Sequence, residues 1–246
     1  MDVTANTILI TGGGSGIGLA LARRFSEAGS RVVVCGRSRE KLQQAQKEIP
    51  DLHIRQCDVA DAAARQALVA WLVKEFPQTN VLVNNAGIQN RFDLLQSGEG
   101  WEPHRREIAI NLEAPIHLSA LMLAHLVGQK NPAIINVSSG LAFTPLAIAP
   151  VYSATKAALH SFTLSLRRQL AQTPIKVIEI IPPAVNTDLG GAGLHAHAAP
   201  LENFADAIFA DLQTDKPEIG YGTSLQRMRA SRGELDMYFE QLNGRQ

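Results

Sequence analysis

The sequence predicts a three-layer, doubly wound α/β fold around one parallel sheet, and three observations carry that prediction. Short β-branched runs alternate with helix-length amphipathic segments, the pattern of parallel strands joined by right-handed helical crossovers. Several of the runs are apolar almost throughout, as strands covered on both faces are. A glycine-rich turn links the first run to the first helix, where a helix N-terminus offers free N–H groups and a favourable dipole to an anion. Together they describe a Rossmann-like architecture, expected as a single domain over residues 1–246.

The elements follow in order. TILIT (Thr7–Thr11), RVVVC (Arg31–Cys35), LHIRQC (Leu52–Cys57), NVLVN (Asn80–Asn84), AIINVS (Ala133–Ser138) and KVIEII (Lys176–Ile181) read as strands. The first, second and fifth are the near-continuous apolar ones. Amphipathic spacing predicts helices over Ile17–Ala28, Arg39–Glu48, Asp61–Glu75, Trp101–Leu126 and Val151–Gln172. A glycine- and alanine-rich stretch at about 188–202 reads as a mobile lid. From about Thr223 to Asn243, Leu225, Met228, Leu235, Tyr238, Phe239 and Leu242 recur near helical spacing and predict one amphipathic tail.

Composition narrows the function. A length of 246 residues allows a substantial core, and 46% hydrophobic content is ordinary for a soluble protein. Lys+Arg and Asp+Glu both number 23, so no basic excess points to nucleic acid and no charged tail to a membrane surface. The most apolar later run, HLSALMLAHLVG, is short and interrupted by His117 and His125, and no bilayer-spanning segment is expected. A small-molecule partner fits best. Cys35 and Cys57 are too few for a disulfide framework and lack metal-ligand spacing. With no leader-like amino terminus, a cytoplasmic protein is expected. His195 and His197 have no acidic or cysteine neighbour and read as loop residues, so no metal site is predicted.

In TGGGSGIG (Thr11–Gly18) position 17 is Ile, so the usual G-x-G-x-x-G dinucleotide spacing fails. The glycines fit G-x-x-x-G-x-G at Gly12, Gly16 and Gly18. Further on, VYSATKAALHSF places Tyr152 and Lys156 one helical turn apart on one face, a spacing too common to decide anything alone. Its neighbours decide. NNAG (Asn84–Gly87) follows the fourth strand, Asn111 lies in the next long helix, and INVSSG closes the fifth strand with Ser139 thirteen residues before Tyr152.

These five ordered motifs, from about Thr7 to Asp188, resemble the short-chain dehydrogenase/reductase family. The resemblance implies hydride transfer between a nicotinamide cofactor and a carbonyl or secondary alcohol. It assigns Asn111, Ser139, Tyr152 and Lys156 as the catalytic set, with Tyr152 as proton donor or acceptor. Chemically, the reacting oxygen needs an acid or base near neutral pH. A neighbouring ammonium and a cationic nicotinamide are expected to lower the phenol from its usual value near 10. By resemblance Lys156 also binds the nicotinamide ribose, Ser139 holds the carbonyl, and Asn111 orders water behind the lysine. Plainer readings exist: Asn111 as a helix-interior amide bonding local backbone, Ser139 as a strand-end cap.

The resemblance further assigns cofactor contacts to Gly12, Ser15, Gly16, Ile17, Gly18, Asp58, Val59, Asn85, Ala86 and Gly87, beside Tyr152 and Lys156. Past the sixth strand it adds Pro182, Val185 and Thr187. Asp58 would meet the adenine, although it also reads as a helix cap. The cofactor's identity follows from VVVCGRSREK. An acidic residue at the end of the second strand would bind ribose hydroxyls and repel a 2′-phosphate, but Gly36 stands there, followed by Arg37. Glycine leaves room and arginine pairs with phosphate, so NADP(H) is expected over NAD(H).

On the substrate side, GLAFTPLAIAPV is almost wholly apolar. Leu141, Phe143, Leu146 and Ile148 are candidate walls, with Ser139, Tyr152 and Pro183 completing the pocket. Pro183 replaces a family glycine and fixes φ near −65°. The double proline, NNAGIQNRFDLL and the tail are together similar to a bacterial subgroup, the DltE type, named for the D-alanylation operon. That likeness names no substrate. Family members of this size are commonly dimers or tetramers joined through the two long helices, so a homodimer or homotetramer is expected. Two other function classes remain: a catalytically silent dinucleotide-binding sensor or scaffold, and a nucleotide-sugar epimerase or dehydratase. The first would need neither Ser139 nor Tyr152, and the second usually has a larger carboxy-terminal domain.

Overall fold

Seven strands form one parallel sheet: β1 (Thr7–Thr11), β2 (Arg31–Gly36), β3 (His53–Gln56), β4 (Val81–Asn84), β5 (Ala133–Val137), β6 (Lys176–Ile181) and β7 (Glu218–Gly220). Their order is β3-β2-β1-β4-β5-β6-β7, so the chain reverses its direction of travel between β1 and β4. The computed structural model describes residues 1–96 and 100–244.

Strand alternation sends neighbouring side chains into two separate cores. Ile8, Ile10, Val32, Val34 and Val83 face α1 (Gly16–Glu27), α2 (Arg39–Glu48) and α7 (Leu201–Leu212), whose Leu21, Phe25, Leu42, Phe204 and Ile208 fill that side. Leu9, Val33, Leu82 and Ile134 face α3 (Ala62–Glu75), α5 (Ala114–Leu126) and α6 (Pro150–Gln169), which contribute Leu68, Leu72, Leu118, Met122 and Leu166. The parallel strands are thus buried on both faces, as the apolar runs predict. β3 is the exception: it is an edge strand, largely exposed, and shorter than the strand expected over Leu52–Cys57.

The long helix predicted over Trp101–Leu126 is present with an internal defect. α4 (Glu102–Ile108) runs through a π-helical turn, Ala109–Glu113, into α5. Joined, Glu102–Leu126 is long and apolar enough to cross a bilayer by length and composition, more than the short run HLSALMLAHLVG suggests. It serves as core: Ile110, Ala114, Leu118, Met122 and Leu126 pack under the sheet, and Glu107 and Asn111 are fully buried.

Toward the carboxy terminus the structure adds a strand that the sequence reading did not include. β7 is only three residues and carries no apolar run to announce it. The stretch expected as a lid, about 188–202, runs up to α7, which Leu201 opens. Its base is tied by a parallel bridge between Val185 and Ala199, with the Asn186 N–H donating to the Ala199 carbonyl at 2.9 Å. The amphipathic tail is two helices, α8 (Thr223–Arg227) and α9 (Arg232–Asn243). Ser231 caps the second with a reciprocal Ser231–Glu234 capping box, which forces the break.

Candidate active site

The carboxyl ends of the strands open onto a cleft of about 1440 Å³, and its floor is built by two turns sewn together. Gly12 has φ +66°, a conformation glycine adopts without strain, and a Cβ there would lie 2.9 Å from the Ala86 Cα. The Thr11 hydroxyl accepts from the Asn85 and Ala86 N–H groups, both at 3.0 Å, and the Asn85 amide donates to the Thr11 carbonyl at 2.9 Å. Gly18 does not line the cleft; a Cβ there would meet the Asn85 amide at 2.4 Å and the Gly12 carbonyl at 2.5 Å, so its place is close packing of α1 against the turn.

Ser15, the residue before α1, makes no side-chain cap bond. Its hydroxyl and the first-turn N–H groups are therefore available to an anion at the cleft wall formed by Gly12, Ser15, Gly16 and Ile17. The wall continues through Gly36, Arg37, Ser38 and Lys41 on one side, and through Asp58, Val59 and Asn85–Gly87 along the floor. Pro182, Pro183, Val185 and Thr187 close the other side, with the Thr187 methyl 3.4 Å from where a Cβ on Gly16 would sit. This continuous trough, with polar groups at the glycine turn and the end of β2, fits an extended dinucleotide.

Asp58 is held by its neighbours: it pairs with Arg106 of α4, and the Ala60 N–H donates to it at 3.1 Å. Burial opposes ionisation, yet these two partners hold its carboxyl below the usual range. The cap of α3 is Asp61, which accepts from the Ala63 N–H at 2.9 Å, so the helix-cap reading of Asp58 is set aside.

At the far end, Ser139, Tyr152 and Lys156 converge. Ser139 leaves β5 in extended conformation, and its Oγ accepts from the Leu141 N–H at 3.1 Å. It is a cap as well as a site residue, because accepting that bond leaves the hydroxyl proton free to donate. Tyr152 stands in the first turn of α6, and Lys156 one turn later points its Nζ at the Val137 carbonyl, 2.8 Å away and 5.6 Å from the Tyr152 ring centroid. Asn111 sits behind the cleft wall, inside the π-helical turn. Its amide accepts from the Ile88 N–H at 2.9 Å and donates to the Ile88 carbonyl at 2.8 Å, and it reaches the Thr155 hydroxyl at 3.3 Å. It thereby clamps the turn after β4 to α6, using backbone remote from its own helix.

The electrostatics differ from the expectation for Tyr152. Among the protein's own groups burial dominates and pushes the phenol up to about 12, with the Ser139 hydroxyl working against it and Glu107 reinforcing it. Burial likewise brings Lys156 down to about 8, against the pull of Glu179 and Glu107. Tyr152 is therefore a phenol at neutral pH. A bound nicotinamide would supply or accept the hydride, and its oxidised form would add a positive charge favouring phenolate.

The apolar walls are Leu141 and Leu146. Phe143 is not among them: its ring lies against His160, centroids 4.7 Å apart. Ile148 also lies outside the lining and is 37% exposed. The 3-10 turn Gly140–Ala142 carries the chain past Ser139 so that Leu141, and not Phe143, faces the cleft. Lys41, Gln89, His195, Thr223, Arg227 and Leu242 also line it, and sequence reasoning singled out none of them as site residues. Lys41 had a signal, four residues past Arg37; the others reach the cleft only through tertiary folding. Cys35 and Cys57 are free and buried, and burial raises both thiols, Cys57 to about 11. Among the described residues no cluster of metal-ligating side chains occurs.

Residues 6–196 match the family model for the short chain dehydrogenases. The chain belongs to the short-chain dehydrogenase family. Within it, the chain is 47% identical to a Bacillus subtilis protein named "uncharacterized oxidoreductase DltE", over 99% of this chain and 98% of the relative. It is 35% identical to the Escherichia coli K12 NADP-dependent 3-hydroxy acid dehydrogenase YdfG, over 72% of each. A solved structure, the closed form of a serine dehydrogenase complexed with NADP+, is 28% identical and superposes with a TM-score of 0.78 over 87% of this chain and 94% of that one. This short-chain dehydrogenase is an oxidoreductase of the CH–OH/C=O type.

Proposed function

We propose that the protein is an NADP(H)-dependent oxidoreductase that moves a hydride between nicotinamide and a carbonyl or secondary alcohol carbon, with Tyr152 as proton donor in reduction and acceptor in oxidation. The convergence of Ser139, Tyr152 and Lys156 on one end of a trough that begins at the glycine turn carries this reading. Ser139 orients the reacting oxygen, Lys156 tunes and positions, and Asn111 holds the Ile88 backbone beside them. NADP(H) is favoured because Gly36, Arg37 and Lys41 bring no carboxylate and two cations to the end of β2, and because YdfG and the serine dehydrogenase are NADP proteins by name. The two unpaired thiols fit a reducing compartment, the cytoplasm.

The test is NADPH oxidation with a panel of aldehydes, ketones and quinones, in the wild type, Tyr152→Phe and Arg37→Ala. Tyr152→Phe is expected to lose turnover by at least about 100-fold, the scale of a proton-transfer group, while still binding NADPH. Arg37→Ala is expected to lose about 10- to 150-fold in kcat/KM for NADPH and little for NADH, the worth of one charge-assisted contact. Turnover undiminished in Tyr152→Phe refutes the mechanism, and equal use of both cofactors by the wild type refutes the cofactor assignment. A protein that binds NADPH yet reduces nothing on the panel would fit the silent sensor instead.

A further inference from the structure

Arg227 ends α8 and lines the cleft beside Thr223, Leu242 and Pro183. It differs from every other arginine withdrawn from solvent. Arg24 pairs with Glu202 and Asp206, Arg65 with Glu113, Arg106 with Asp58, Arg167 with Glu218, and Arg23 with Glu48. Among the described residues, the half-buried Arg227 side chain makes neither an ion pair nor a hydrogen bond, and the Tyr238 hydroxyl is the one group that acts on its charge. A guanidinium held partly out of water with no counter-charge is costly, and an anion arriving in the cleft would relieve that cost. Burial pulls its proton affinity below the ordinary value, in keeping with an unmet need for negative charge.

Its position says which anion. α8 packs against the turn that follows Ser139: a Cβ on Gly140 would lie 2.5 Å from the Ser224 hydroxyl and 3.5 Å from an Arg227 guanidinium nitrogen. The guanidinium is therefore within roughly 9 Å of the Ser139 Cα, given standard chain dimensions. Arg227 follows β7 at one edge of the sheet, whereas Arg37 follows β2 toward the other edge. Arg227 is thus on the substrate side of the cleft and remote from the cations proposed for the cofactor phosphate. A single guanidinium matches one carboxylate in a two-pronged contact; a phosphate dianion would call for further donors.

We propose that Arg227 anchors a substrate carboxylate, so that the cleft takes a small hydroxy acid or the corresponding oxo acid with its reacting carbon at Ser139 and Tyr152. Leu141, Leu146 and Pro183 line the same cleft, and their apolar side chains suit a short aliphatic chain. The proposal rests on the reading of Ser139 and Tyr152 as the reacting end.

Calorimetric titration of the NADP+-saturated protein with lactate, 3-hydroxybutanoate and 4-hydroxypentanoate, each beside its methyl ester, tests it without relying on turnover. At least one acid is expected to bind the wild type about 10- to 100-fold more tightly than its ester. Arg227→Gln should abolish that preference, and Arg227→Lys should restore part of it, with thermal unfolding confirming that both variants fold. Equal binding of acid and ester by the wild type, no binding of any acid, or a preference that persists in Arg227→Gln overturns the proposal. So does a change in oligomer mass in Arg227→Gln without loss of the acid preference. If the preference depends on Arg227 but no hydroxy acid is oxidised, the anchor stands and the proposed hydride transfer fails.

Discussion

Glu179 is a fully buried carboxylate in the middle of β6, held by two partners that border Ser139 and Lys156. The Ser138 hydroxyl donates to one oxygen, and His160 Nδ1 lies 2.8 Å from the other. Ser138 directly precedes Ser139, and His160 is one turn beyond Lys156 on α6, so this trio fixes strand end and helix relative to one another. The bond to Glu179 raises the His160 imidazole above its ordinary value, burial opposing it, with Glu218 adding to the rise and Arg167 reducing it. A histidine whose folded pKa is raised contributes stability that is full below its unfolded value near 6.5. That contribution disappears as pH climbs through the folded value. His160→Gln is therefore expected to cost about 1–2 kcal/mol at pH 5.5, and the gap to wild type should narrow steadily above pH 6.5. Urea unfolding of both proteins at stepped pH checks this; a gap that is constant or widens with pH contradicts the assigned charge pair.

At the scale of elements, the most lightly held piece is α9. It contains no fully buried residue, yet Leu242 at its end lines the cleft. Its attachment is concentrated in Asn243, whose side-chain oxygen accepts from the Ala147 N–H at 2.7 Å and whose amide donates to the Pro145 carbonyl at 3.1 Å. These bonds reach the loop that leads from Ser139 to Tyr152, so the tail helix and the apolar wall are coupled. Each bond is worth on the order of 1 kcal/mol, against little buried area. Asn243→Ala should raise the substrate KM several-fold with kcat changed less than about twofold, since Tyr152 and Lys156 are held by α6 and β5. Hydrogen exchange should quicken in α9 while the global unfolding midpoint barely moves. Unchanged exchange in α9 would show that other contacts hold it. The contrast with the π-helical turn at Ala109–Glu113 is instructive: there the defect lies on the buried face of a long helix, and Asn111 spends its amide on Ile88 and Thr155.

For the whole molecule, legibility in the sequence follows locality. Six strands, and the turns that line the cofactor end, lie in short contiguous stretches whose chemistry is visible in order: Thr11–Gly18, Gly36–Arg37, Asn84–Gly87, Ser139 and Tyr152–Lys156. The far end was legible only in part: Leu141, Leu146 and Pro183 were readable beside Ser139 and the double proline, whereas Gln89, His195, Arg227 and Leu242 come from four further segments. Phe143 misled because its apolar character fits a pocket wall and a helix contact equally, and only the turn at Gly140–Ala142 separates the two. β7 was hidden by its three-residue length, and the tail's break by a capping box inside an amphipathic pattern. What the fold leaves uncovered bears on assembly. Ile116 and Val127, at either end of α5, and Leu164 of α6 are 37%, 49% and 42% exposed, with Trp101 before α4 at 59%. α5 and α6 belong to one layer, linked beneath by the Ser119–Asn84–Asn136–Thr163 hydroxyl and amide chain, so Ile116 and Leu164 stand on neighbouring helices. A second copy of this chain covering that layer would remove these side chains from water, each fully buried one contributing on the order of 2 kcal/mol. Sedimentation at micromolar concentration is therefore expected to give two or four times the 26.6 kDa protomer mass. Leu164→Glu combined with Ile116→Lys should shift it toward the protomer without altering NADPH binding. A wild type that sediments as a single protomer, or a double variant that keeps the wild-type mass, would remove this layer as the assembly face.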